Sequence, residues 1–155
     1  TSDTTADATN AIGHGVSVGH DFMFNEIIST STGLGYSISE AKDGTNDFHT
    51  YDLSLRLNLA HPWVYTSIGN ALSFNDYINQ DTSTNSNRIR SDVTNTVDLM
   101  FTKALGDFFP KLDPNKSFFI NLSYEKVFSE ANILNYDYIG DSVSISFAKA
   151  VSMFK

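Results

Sequence analysis

Seven ionisable residues alternate with their neighbours along three segments of this chain: Asp52 and Arg56, then Arg88, Arg90, Asp92 and Asp98, then Glu125. Charges of both signs at even spacings share one face of an extended chain. There they pair across neighbouring strands, or orient a polar passenger moving past them. Both uses need water on that side, because an unpaired ion sealed in a packed core costs several kcal/mol. Other chemistry is thin. His14 and His20 lie on one segment, and His49 and His61 at opposite ends of another, about 40 Å apart at ~3.4 Å per extended residue, which makes no metal site. No serine sits in a nucleophile elbow or beside an evident base, and Gly13-His14-Gly15 and Gly33-Leu34-Gly35 open no helix that could cradle a phosphate. The residues predict no catalysis, no cofactor and no metal.

The elements that must carry these residues announce themselves by period. In residues 48–59, Tyr51, Leu53, Leu55, Leu57 and Leu59 point one way while Asp52, Ser54, Arg56 and Asn58 point the other. A strand sends successive side chains to opposite faces, whereas a helix would repeat every 3.6 residues. Seven such segments predict strands at about 14–24, 28–40, 48–60, 63–78, 88–105, 117–128 and 141–154, preceded by a loop over 1–13. One face of each is oily and the other wet. That pattern predicts an all-β chain, an antiparallel transmembrane β-barrel segment of about seven strands forming a single region over 1–155.

Bulk properties narrow the partners. The chain has 155 residues, 41% of them hydrophobic, and no cysteine, so disulfide scaffolds and thiolate metal sites are excluded. No apolar run reaches the length of a membrane helix, so a membrane reading goes through strands. A net charge of −8 argues against nucleic acid and favours cations near any pore the chain lines.

Connections alternate in length: short at 25–27, longer at 41–47, short at 61–62 with Pro62 marking the reversal, long at 79–88, intermediate at 106–116 and long at 129–140. Outer-membrane barrels place short turns in the periplasm and long loops outside. On that orientation the first and seventh strands both run toward the periplasm. Seven strands then cannot close by antiparallel pairing, and an open edge in lipid leaves amides unpaired at several kcal/mol each. The chain is therefore expected to form the C-terminal part of a larger barrel, completed by upstream sequence or by another chain.

Lys103, Lys126 and Lys149 share the outward parity and stand near strand ends, where a long side chain reaches the headgroups. Aromatics gather at two levels. Trp63, Tyr65, Phe118, Phe119 and Phe154 fall at periplasmic ends, and Tyr36, Tyr51, Phe74, Tyr77, Tyr136 and Tyr138 at outer ends, as membrane-interface belts require. His20, Thr30 and Thr32 are polar with outward parity, for which a β-bulge is the expected cause.

The closing segment carries Asn121-Leu122-Ser123-Tyr124-Glu125, Ser129-Glu130-Ala131-Asn132, Tyr136-Asp137-Tyr138 and Val143-Ser144-Ile145-Ser146-Phe147. Over about thirty-five residues it resembles the last hairpin of outer-membrane barrels attached to periplasmic tetratricopeptide domains, such as surface lipoprotein assembly modifiers and exopolysaccharide-export barrels. Phe154 also looks like the C-terminal phenylalanine read by barrel-assembly machinery, although Lys155 follows it. The resemblance implies a Gram-negative outer-membrane location, a periplasmic partner domain and a pore for export or translocation of a polar substrate or protein. A general diffusion porin is the nearest alternative. A water-soluble extracellular β-sandwich, filament or adhesin subunit, secreted or at the cell surface, is the alternative from a different class.

Overall fold

The computed structural model describes residues 11–41, 47–80, 88–133 and 136–149. They form seven strands: β1 (Ala11–Met23), β2 (Ile28–Ala41), β3 (Phe48–His61), β4 (Val64–Gln80), β5 (Ile89–Ala104), β6 (Phe118–Ala131) and β7 (Tyr138–Lys149). Each is hydrogen-bonded antiparallel to its sequence neighbour, in one sheet of order β1-β2-β3-β4-β5-β6-β7. The sheet does not close. β1 and β7 are its edges, and in an antiparallel meander of seven strands they run in the same direction.

Local chemistry explains each reversal at the short-turn rim. After β1, the Asn25 side chain accepts from the backbone N–H groups of Ile27 and Ile28, both at 2.8 Å, while Phe24 N–H donates to the Ile28 carbonyl at 2.9 Å. An Asn that satisfies its own turn is a standard reversal device. Between β3 and β4 only Pro62 and Trp63 intervene, and His61 pairs directly with Val64. The third connection is longer and holds a 3₁₀ turn over Leu105–Asp107. Its organiser is Asp113, a buried carboxylate that accepts from the N–H and hydroxyl of Ser117 at 2.9 and 3.0 Å and from Phe118 N–H at 2.9 Å. Asp107 adds ion pairs with Lys103 at 2.5 Å and Lys116 at 2.6 Å.

The strand ends differ from the sequence-based ones by a few residues. β1 begins at Ala11, so residues 11–13 are strand and not loop, and β6 extends to Ala131 because Asp92 and Val93 supply pairing partners as far as Ala131 and Glu130. The expectations for residues 1–10, 42–46 and 81–87, and for Phe154 and the rest of 150–155, lie outside the described residues.

The two faces are unlike. Paired residues share a face, so the register assigns Val18, Leu34, Leu53 and Leu72 to one row of the oily side. That side is uncovered: Val16 is 70% exposed, Leu53 47% and Ile145 65%. Among the described residues Ile133 is the only buried hydrophobic side chain. No second layer lies over the apolar face among the described residues. The most buried strand side chains among the described residues are instead polar, and Ser67 at 0%, Asp92 and Ser129 all lie on the opposite side.

Candidate functional site

The polar face is organised by one cross-strand row. Asp21 pairs with Ser31, Ser31 with Arg56, Arg56 with Gly69, Gly69 with Asp98, and Asp98 with Glu125. Arg56 on β3 reaches across β4 to Asp98 on β5. Nη1 and Nη2 donate to the two carboxylate oxygens at 2.8 Å each, the planar two-pronged geometry that guanidinium and carboxylate share. Nη1 also donates to Ser67 Oγ at 2.8 Å, which roofs that hydroxyl completely.

Gly69 makes the crossing feasible. A Cβ there would stand 2.8 Å from Asp98 Cγ and 2.9 Å from Arg56 Nη2, closer than real Cβ atoms come to such neighbours. The strand between the partners must therefore present no side chain. An otherwise costly glycine in a strand interior has a reason here.

A second ionic group stands near the other rim. Arg90 donates from Nε and Nη2 to the Asp92 carboxylate at 2.8 and 2.5 Å. Its guanidinium lies 4.7 Å from the ring centroid of Tyr77 and 3.5 Å from that of Tyr136, a cation held between two aromatic faces. Between the two ionic groups, neutral side chains hydrogen-bond across strands: Thr50 to Asn75 at 2.7 Å and Thr94 with Ser129 at 3.3 Å. Beyond Arg56, toward the short turns, Tyr65 bonds Asn58 at 2.8 Å and Thr102 bonds Asn121 at 2.8 Å.

The register places Asp52, Arg56, Arg90, Asp92, Asp98 and Glu125 on this one face, with Arg88 exposed just before β5. It joins Arg56 to Asp98 and Arg90 to Asp92. Asp52 and Glu125 stand apart from both pairs.

The interface aromatics divide differently from their expected belts. Trp63 projects from the β3–β4 turn, and Phe118 lies on the apolar face with Lys149 Nζ 5.1 Å from its ring centroid. Tyr65, Tyr77 and Tyr138 sit on the polar face, opposite Thr102, Phe48 and Ser129, and Tyr136 stacks on Arg90. Level along the strand predicts belts, but register places Tyr65, Tyr77 and Tyr138 on the polar face, and Tyr136, outside the strands, is tied to that face through Arg90. The bulge expected near His20, Thr30 and Thr32 is also absent. Pairing runs unbroken through all three, and among the described residues the register shifts between Asp76 and Gln80 instead.

Asp113 and Gly69 were not singled out from sequence. The Asp113-Pro114 dipeptide is the available signal for the first, as a turn-forming pair; nothing short of register reveals the second. Burial alone would raise the Asp113 pKa, but hydrogen bonds from Phe118, Ser117 and Gly106 outweigh it and hold the carboxyl below its ordinary value. Asp107 is likewise held low by its hydrogen bonds to Lys103 and Lys116, against a smaller opposing effect of burial.

Among the described residues no group of three or more histidine, aspartate or glutamate side chains could hold a metal ion. The arrangement among the described residues is a polar sheet face braced internally by ion pairs and hydrogen bonds. Comparison of the chain with protein-family models, curated proteins and solved structures finds no match in any of the three.

Proposed function

We propose that this sheet is a stretch of the wall of a Gram-negative outer-membrane β-barrel, its polar face turned to a lumen through which a polar substrate or protein passes. The observation that carries the reading is the uncovered apolar face backed by an ion-paired polar one. Soluble monomers rarely expose contiguous apolar patches beyond a few hundred Å². Here the oily side extends over all seven strands.

Register adds support. One outward row runs His20, Thr32, Leu55, Asn70, Val97, Lys126. His20 stands three positions from Met23 at the short-turn end of β1 (23 − 20), whereas Lys126 stands eight from Phe118 at that end of β6 (126 − 118). Five residues of climb over five strand spacings, at ~3.3 Å and ~4.8 Å respectively, correspond to a tilt of about 35°. Outer-membrane strands tilt by about 35–45°. With that tilt His20 lies about 8 Å above the rim and Lys126 about 22 Å, toward opposite borders of a band about 25 Å tall. Asn70, near mid-height, donates to Asn95 at 2.6 Å, which lowers the cost of its amide there.

β1 and β7 run the same way, so antiparallel closure takes an odd number of further strands, from the same polypeptide or a partner. The export role, and a periplasmic helical-repeat partner domain, draw on the resemblance of the segment from Asn121 to Phe147. Detergent dependence and heat-modifiable gel mobility test the barrel. Trp63, the single tryptophan, reports insertion by a blue-shifted emission quenched by lipids labelled near the headgroup. A chain that stays monodisperse in plain buffer with water-exposed Trp63 emission refutes the reading.

A further inference from the structure

The polar face is not electrically balanced. Its two described arginines within strands are consumed internally: Arg56 by Asp98, and Arg90 by Asp92 and the rings of Tyr77 and Tyr136. Arg88, just outside β5, is engaged as well. The strand lysines Lys103, Lys126 and Lys149 have the opposite parity, and Lys116 is bound to Asp107 in the turn. Three carboxylates remain on the polar face with no hydrogen bond or ion pair among the described residues: Asp21 and Glu125, at the two ends of the Arg56–Asp98 row, and Asp52, four residues along β3.

A paired arginine and carboxylate present only a dipole, whose field fades over a few ångströms. A free carboxylate presents a full charge to anything passing. We infer that Asp21, Asp52 and Glu125 make this lumen wall select cations over anions, so that the favoured passenger is positively charged. The inference rests on the lumen assignment proposed above and names the substrate class for that same face. Carboxylate-lined walls select cations in this way because each charge raises the local concentration of counter-ions and repels co-ions.

The test uses the complete protein or complex carrying this chain, purified from membranes in detergent and reconstituted into planar bilayers. The reversal potential is read in a KCl gradient at low ionic strength, where screening is weakest. The triple variant Asp21→Asn, Asp52→Asn, Glu125→Gln removes the charges with little change of shape, and heat-modifiable mobility checks that it folds. Asp141→Asn, on the apolar face, is the control. The expected result is a potassium-to-chloride permeability ratio above one that falls about threefold or more in the triple variant, and stays unchanged in the control. A folded, inserted protein that conducts nothing, favours chloride, or keeps its ratio in the triple variant overturns the inference while leaving the barrel intact. A protein that neither inserts nor shows heat-modifiable mobility overturns the barrel reading and the inference with it.

Discussion

Gly69 holds open the space through which Arg56 reaches Asp98, so replacing it by alanine should uncouple two residues that it does not itself bond. The added Cβ would meet Asp98 Cγ at 2.8 Å and Arg56 Nη2 at 2.9 Å. Both contacts are with the far ends of side chains, which move aside instead of forcing the backbone. The consequence is loss of the two-pronged pair, not loss of the fold. Charge-assisted hydrogen bonds contribute about 1.5–3 kcal/mol when shielded. The Arg56 side chain is 42% exposed and that of Asp98 25%, so water competes and the pair is worth about 1 kcal/mol. Alanine in a strand interior gains roughly 0.5–1 kcal/mol over glycine, which nearly offsets that loss. Total stability is therefore the wrong readout. The right one is a double-mutant cycle of Arg56→Gln and Asp98→Asn, run in the native background and again with Gly69→Ala, by urea unfolding in detergent followed through Trp63 emission. Coupling of about 1 kcal/mol should vanish when Gly69→Ala is present. Coupling that survives at full size would show that the arginine reaches its partner by another route, and the account of Gly69 would be wrong.

Two further outcomes separate other parts of the argument. Ile68 lies on the apolar face at 43% exposure; Ile68→Arg should cost about 2–4 kcal/mol in refolding into vesicles if lipid covers that face, against less than about 0.5 kcal/mol if water does. Asp113 is held below its ordinary pKa, so its stabilisation of the β5–β6 turn is complete above the unfolded-chain value of about 3.9 and is lost as pH falls through the lower folded value. Asp113→Asn should accordingly speed amide exchange at Ser117 and Phe118 at neutral pH. Wild type should approach the variant only under acid below that window; a wild-type loss near pH 6 would contradict the assignment.

Why did some of this site show in the sequence and some not? Asp52, Arg56, Arg90, Asp92, Asp98 and Glu125 were legible as one face because parity alone decides which way a strand residue points. The tyrosines went astray for the complementary reason. Tyr65, Tyr77 and Tyr138 were sorted by their distance from a strand end, while their parity already placed them with Ser67, Asn75 and Ser142 on the wet side. The Asp113 network was hidden because a carboxylate that organises a turn is read from which N–H groups converge on it, and convergence is a matter of three-dimensional path.

Alternation along the chain by itself determined seven strands, their order of reversal and the two unlike faces, since a period of two is a local property of extended backbone. Only the tertiary structure decided that Arg56 meets Asp98 across Gly69 and that, among the described residues, Asp52 and Glu125 stay unpaired and nothing packs on the oily side. The physical reason is degeneracy. Sliding one strand past the next by two residues keeps every side chain on its face yet changes every partner, so the pattern that builds the sheet leaves open which charges it brings together.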